Sequence, residues 1–247
     1  METLHKDKVQ GRGPWRVWAE PMLTYRSTEP EEMDAETTSA EDYAQCLRDL
    51  ASVNRLTLTH RATLNWLAKA TKGLSSVSIL DVACGHGDLL RAIRRWADRR
   101  GLAATLEGID LNPRSAEVAA AATTPEMAIT YRTGDVFDYD PAPQLIVTSQ
   151  FTHHLTDADL VRFLRWLERH ATKGWCIADL QRHAIAYYGF PVLAWVAGWH
   201  RIVRQDGRIS IARSFRRADW EQLLAKAGIN AEIRWSLPFR YCIERLK

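Results

Sequence analysis

Cysteine is scarce in this chain, with four residues, Cys46, Cys84, Cys176 and Cys242, among 247. They form no C-x-x-C pair and no metal-ligand spacing, which excludes a disulfide framework and a zinc ribbon. A reduced, cytosolic setting is the simplest reading. Charge of one sign is equally scarce. Thirty-three Lys and Arg face 30 Asp and Glu, leaving +3. No basic stripe interleaved with aromatics is present, so no nucleic-acid partner is expected. Long apolar runs are also missing. The longest, "AIAYYGFPVLAWVAGW" at 184–199, contains Gly189 and Pro191. It falls short of the roughly 20 residues that span a bilayer. It reads as buried or lid-forming, and no transmembrane segment is expected. The opening "METLHKDKVQGRGPW" lacks the apolar core of a signal peptide. Tryptophan, by contrast, is plentiful at ten residues, which leans towards binding flat or greasy molecules. The length suits one α/β core with an appendage.

Along the chain, residues 1–37 read as irregular, with "STEPEEMDAETT" an acidic surface arm. A helix is predicted from Thr38, whose spacing to Glu41 is that of a capping box. A second follows over roughly 59–72, ending near Gly73. From there strand-length apolar runs alternate with helical segments. "VSILDV" precedes a helix with Leu89, Leu90, Ile93, Trp96 and Ala97 on one face. "TLEGID" precedes a helix capped by Asn112 with Pro113 in its first turn. "AITYRT", "QLIVTS" and "GWCIADL" supply three further strands, and Thr156 opens the helix between the last two. Residues 181–213 interrupt this rhythm. A helix over 218–227 ends at Gly228, and "AEIRWS" and "FRYCIER" pair through a turn at Pro238.

Such alternation predicts a doubly wound, Rossmann-like α/β fold, mostly parallel, closed by an antiparallel hairpin and preceded by a helical extension. The domain reading is 1–72 for the N-terminal arm and helices and 73–247 for the core, with 181–213 as an insertion over the acceptor.

The glycines of "DVACGHGDLL" at 81–90 sit between the first strand and its helix, where a ligand meets the backbone. The phosphate loop G-x-x-x-x-G-K-[ST] is excluded for want of its lysine. A dinucleotide fingerprint lacks its third glycine, since Leu90 stands there. Asp81 at the strand end would repel a pyrophosphate and welcome a cation.

The run "ILDVACGHGDL" resembles the D/E-x-x-x-G-x-G motif of the class I S-adenosylmethionine-dependent methyltransferases. "GIDLNP", "GDVFD" and "SQFTHHL" resemble that family's later motifs, in order. The resemblance covers roughly residues 60–247 and implies S-adenosylmethionine as cofactor and S-adenosylhomocysteine as product. It implies that Asp81, Ala83, Gly85 and Gly87 line the methionine part. Asp110 would take the ribose hydroxyls, with Leu111 beside it. Asp135 would face the adenine amino group and Val136 the ring, while Gln150 and Phe151 follow the fourth strand.

Ser149–Thr152 lacks the N/D-P-P-Y/F run of amide and amino methylation. The "HHL" ending resembles small-molecule O- and C-methyltransferases, including quinone-pathway and polyketide-tailoring enzymes. His154 is the first choice as base or orienting group, His183 the second, and His153 adjoins them. The alternative has His153 solvated and His154 packing or capping locally. Arg182 is a candidate for holding an anionic acceptor. Tyr187, Tyr188, Trp195 and Trp199 are candidates for an aromatic acceptor wall. No cluster has metal spacing, so no metal is expected.

The reading is therefore a cytoplasmic methyltransferase, monomer or homodimer. It acts on a small hydrophobic or aromatic acceptor, at oxygen before carbon. A C-methyltransferase, a binding module that does no chemistry and a nicotinamide oxidoreductase are the alternatives.

Overall fold

The structure is a computed structural model describing residues 23–247. The first 22 residues of the expected N-terminal arm lie outside the described residues. Seven strands form one sheet: β1 (Ser76–Val82), β2 (Ala103–Asp110), β3 (Ile129–Thr133), β4 (Leu145–Ser149), β5 (Gly174–Leu180), β6 (Glu232–Ser236) and β7 (Arg240–Leu246). Their order is β3-β2-β1-β4-β5-β7-β6. β1 to β5 pair in parallel, and β7 runs antiparallel to both β5 and β6. The expected parallel sheet with a closing hairpin is what forms. The strand order reverses between β1 and β4, which opens a crevice at the strands' carboxyl ends.

The helices follow from spacing and caps. They are α1 (Ala40–Leu56), α2 (His60–Ala70), α3 (Asp88–Asp98), α4 (Pro113–Ala121), α5 (Asp157–His170), α6 (Ala184–Val196), α7 (Arg201–Arg213) and α8 (Arg217–Ala227). In α3 the five expected apolar residues all face inward and are buried. They pack with Trp66 and Leu67 of α2 on one face of the sheet. Leu160, Phe163, Leu164 and Leu167 of α5 join Trp220 and Leu223 of α8 on the other. Full burial of each such leucine or isoleucine contributes about 1.5–3 kcal/mol. β4 and β5 are covered on both faces, hence their continuous apolar runs. Asn112 and Thr156 cap α4 and α5 as expected, accepting from the Arg114 and Asp159 amides.

The first helix corrects the capping-box reading. Ser39, not Thr38, is the cap and accepts from the Asp42 amide. The Thr38 hydroxyl instead donates to the Glu32 carbonyl, so the chain turns once more before the helix starts. The interrupting segment forms α6 and α7. With α1 they share a separate cluster of Cys46, Val53, Ala194, Trp199, Ile202 and Val203. Asp206 of α7 accepts from the Glu32 and Met33 amides, fixing the arm over 29–38 beside the crevice. All four cysteines are buried and free. No described helix is long and apolar enough to cross a membrane.

Candidate active site

β1 ends at Val82, and the loop after it passes through left-handed backbone at Ala83, Gly85 and Gly87. The Gly85 amide donates to Asp110 Oδ2 at 2.9 Å. Gly87 has φ +72° and would drive a Cβ into the Tyr131 hydroxyl. That glycine therefore answers to a neighbouring strand inside the protein as well as to any ligand.

Three carboxylates surround this loop. Asp81 is 2% exposed, and no hydrogen bond to its side chain occurs among the described residues. Burial first, then Asp88 and Asp110, pushes its carboxyl well above the usual range. Asp110 accepts from the Gly85 and Asn112 amides at 2.9 Å each. Burial raises its carboxyl against those two bonds. Asp88 opens α3 and accepts from Asn54 at 3.0 Å, with His60 Nε2 at 2.8 Å. Burial would raise it, but His60 and Asn54 outweigh burial and bring it to about 2.

A buried carboxylate with two acidic neighbours and no partner fits a ligand carrying an ammonium and a sulfonium. That is the charge pattern of S-adenosylmethionine. Asp110 keeps lone pairs beyond its two amide bonds, as a ribose diol requires. Leu111 is 72% exposed. Val136 is buried, and Asp135 caps its own turn by accepting from the Phe137 amide. Gln150 has φ +55° and donates to Asn54 Oδ1. Asn54 of α1 thus joins the glycine loop to the turn after β4. Phe151 meets Phe163 edge-on.

The two histidines after β4 take the reverse of the places that the alternative reading gave them. His153 is the buried one, its side chain 2% exposed, and His154 is half-buried at 27%. His153 Nδ1 lies 2.7 Å from Asp179 Oδ1 at the end of β5. Asp179 also accepts from the Thr152 hydroxyl and the His153 amide. Burial would raise Asp179, but His153 holds it below the usual carboxylate range. His154 Nδ1 lies 3.0 Å from Asp34 Oδ2 on the arm. Glu31, also on the arm, faces both rings. Its Oε1 is 3.7 Å from His153 Nε2 and its Oε2 is 3.8 Å from His154 Nε2. Burial pushes Glu31 up to about 7, against the pull of His154.

Other candidates fall elsewhere. His183 caps α6, accepting from the Ile185 amide, and stacks on Phe239. Arg182 donates to the Leu23 and Ser214 carbonyls and to Asp219. Each of its three nitrogens is bonded within the protein and the residue is buried, so it is not presented to an anionic acceptor. Tyr187 and Trp199 are buried, Tyr187 accepting from Arg208, while Tyr188 and Trp195 are exposed. The four aromatics are therefore not one wall. Glu31 and Asp34 were not singled out from the sequence. They stand in an acidic stretch that reads as solvated.

Residues 79–174 match the family model described as a methyltransferase domain. No curated protein matches the chain. Three solved structures illustrate the fold. Human N-acetylserotonin methyltransferase in complex with SAM is 14% identical, with TM-score 0.59, over 85% of this chain and 56% of that one. The plantazolicin methyltransferase BamL, in complex with a triazolic desmethylPZN analog and SAH, is 14% identical with TM-score 0.57, over 90% and 77%. Magnesium protoporphyrin IX methyltransferase from Synechocystis PCC 6803 with bound SAH is 15% identical with TM-score 0.52, over 77% and 82%. The chain therefore carries a methyltransferase domain over residues 79–174, set in a seven-stranded fold shared with methyltransferases solved with SAM or SAH.

Proposed function

We propose that this enzyme methylates a small hydrophobic or aromatic acceptor at oxygen, at a phenol, enol or carboxylate, in secondary metabolism. The observation that carries the reading is the pair of imidazoles directly after β4, each backed by a carboxylate, Asp179 for His153 and Asp34 for His154. Such backing fixes a ring with its Nδ1 proton towards the carboxylate and leaves Nε2 to accept a proton. The neighbours support the substrate class in kind, since their names concern a porphyrin, an azole-bearing product and N-acetylserotonin.

S-adenosylmethionine supplies an activated methyl group on a good leaving group. The chain's own residues do the rest. Asp110 and the Gly85 amide would hold the ribose end, and Asp81 the positively charged end. Leu111, Asp135 and Val136 would border the adenine. Asn54 and Gln150 tie α1 across the crevice and exclude water there. A phenol must lose its proton to attack, and His154 Nε2 is the accessible acceptor, with Asp34 steadying the cation that results. His153 is a positioning residue behind it. The arm over 29–38 with α6 and α7 would cover the acceptor, with Tyr188 and Trp195 offering aromatic surface. C-methylation of a quinone or polyketide ring is the second reading, because an enol acceptor needs the same proton removal.

The test uses methyl-deuterated S-adenosylmethionine with a metabolite extract, followed by mass spectrometry. A labelled small molecule whose fragments carry the label on oxygen is expected. Label on carbon supports the second reading. No labelled product from a chain shown to bind S-adenosylhomocysteine overturns the small-molecule assignment.

A further inference from the structure

Three donor atoms meet between the arm and the turn after β4. They are a Glu31 carboxylate oxygen and one ring nitrogen each of His153 and His154, all within 4.8 Å of one another. The separations of 3.7 and 3.8 Å from carboxylate to ring nitrogen are too long for hydrogen bonds. The three therefore surround a gap and do not satisfy one another. Ligand atoms about 2.0–2.2 Å from a common metal lie roughly 3.3 Å apart in tetrahedral geometry. The two carboxylate-to-nitrogen separations stand within about 0.5 Å of that spacing.

The outer atoms support the same reading. His153 Nδ1 is bonded to Asp179 and His154 Nδ1 to Asp34, at 2.7 and 3.0 Å. Carboxylates in that position fix the tautomer that leaves Nε2 bare and aimed inward, as behind metal-bound histidines. Glu31 is held by the Ser210 hydroxyl, which donates to Oε1 at 2.9 Å. The cluster is buried at Glu31 and His153 and open at His154. Charge agrees too. Three carboxylates, Glu31, Asp34 and Asp179, surround two imidazoles. The nearby guanidinium groups of Arg26 and Arg213 are spent largely on main-chain carbonyls of 153–155 and on Asp157.

We propose that Glu31, His153 and His154 bind one divalent first-row transition cation. Two imidazole nitrogens with one carboxylate suit zinc, iron, cobalt or manganese better than magnesium or calcium, which prefer all-oxygen shells. The cation's role rests on the methyl-transfer reading. It would bind the acceptor hydroxyl through its open face and lower that hydroxyl's pKa, taking over the task of His154 Nε2, whose lone pair it occupies.

The full-length chain, freed of any histidine tag and stripped with chelator, is titrated with Zn²⁺ by calorimetry. It is then titrated with Co²⁺ while its visible absorption is recorded. One Zn²⁺ per chain and Co²⁺ bands typical of mixed nitrogen–oxygen ligation are expected. Glu31→Gln and His154→Gln should each weaken Zn²⁺ binding at least about 10-fold. Asp34→Asn, which touches no metal and whose residue is exposed, should weaken it by about 10-fold. His170→Gln, remote from the cluster, should not. Affinity for S-adenosylhomocysteine is measured on the same samples. A folded chain that binds S-adenosylhomocysteine but no Zn²⁺ overturns the cation site and leaves His154 as the proton acceptor. Zn²⁺ binding unchanged in both Glu31→Gln and His154→Gln overturns its placement. Zn²⁺ bound at the cluster by a chain that does not bind S-adenosylhomocysteine leaves the site standing and defeats the methyl-transfer role.

Discussion

The two ends of the crevice are built from different materials. The end at β1 and β2 is mostly main chain: a glycine loop, the Gly85 and Asn112 amides, and carboxylates at strand ends. Its residues lie within one stretch of sequence, inside the matched domain at 79–174. The end at β4 and β5 is mostly side chain. It joins side chain to side chain, His153 to Asp179 and His154 to Asp34, the latter pair 120 positions apart. The first end follows from local geometry and tolerates little change of chemistry. The second is assembled by packing, and its chemistry is set by whatever the arm and the α6–α7 pair bring to it.

Damage at one end should therefore spare the other. The largest effect is expected for His153→Ala, which leaves Asp179 buried without its partner. Breaking such a pair costs about 3–5 kcal/mol of stability. The denaturant midpoint should fall accordingly, while S-adenosylhomocysteine affinity in the folded fraction stays within about threefold of wild type. A matching loss of cofactor affinity would erase the division between the ends. His154→Ala should keep the fold and cut turnover by roughly 10²-fold or more. Wild-type turnover would assign it to packing alone. Asp110→Ala tests the other end. Calorimetry should show S-adenosylhomocysteine binding weakened by about 1.5–3 kcal/mol. Unchanged affinity would mean that the second strand's acid does not reach the ribose.

The pH response sharpens the comparison. Asp88 is held at about 2 in the folded chain. A carboxyl lowered on folding contributes stability that is full above its unfolded value, near 3.9, and is lost as pH falls through about 2. Asp88→Asn should therefore be less stable than wild type by about 1–2 kcal/mol at pH 6, and the gap should close between pH 4 and 2 in acid-denaturation curves. The smallest effect is expected for Trp195→Ser. This side chain is 70% exposed, so stability should change by less than about 0.5 kcal/mol. A raised KM for the acceptor, with cofactor affinity intact, would place it on the acceptor path.

Legibility in the sequence follows the same division. The strands, the caps at Asn112 and Thr156, the α3 stripe and the glycine loop rest on neighbours within a few residues, so periodicity and spacing reveal them. The sheet's closing hairpin was legible for the same reason. Glu31 and Asp34 were not. Nothing local distinguishes a buried glutamate in "STEPEEMD" from a solvated one, because its burial depends on Ser210 and on two rings far along the chain. Arg182 misled in the opposite sense. An arginine just past a strand end suggests an anion site, yet its three partners come from Leu23, Ser214 and Asp219. The buried and half-buried roles of His153 and His154 were likewise set by Asp179 and the arm, which the dipeptide itself does not encode.

The hold of Asp206 on the Glu32 and Met33 amides has a wider consequence. The ribbon that carries Glu31 and Asp34 is held from the α6–α7 insertion by Asp206 together with Arg201, Ser210 and Arg213. Ribbon and insertion therefore form an exchangeable pair. If this end of the crevice takes the acceptor, as proposed, trading both together changes what is methylated and leaves the glycine-loop half untouched. A lineage that alters the insertion alone loses the ribbon's anchorage, and with it the chemistry of the half it meant to redesign.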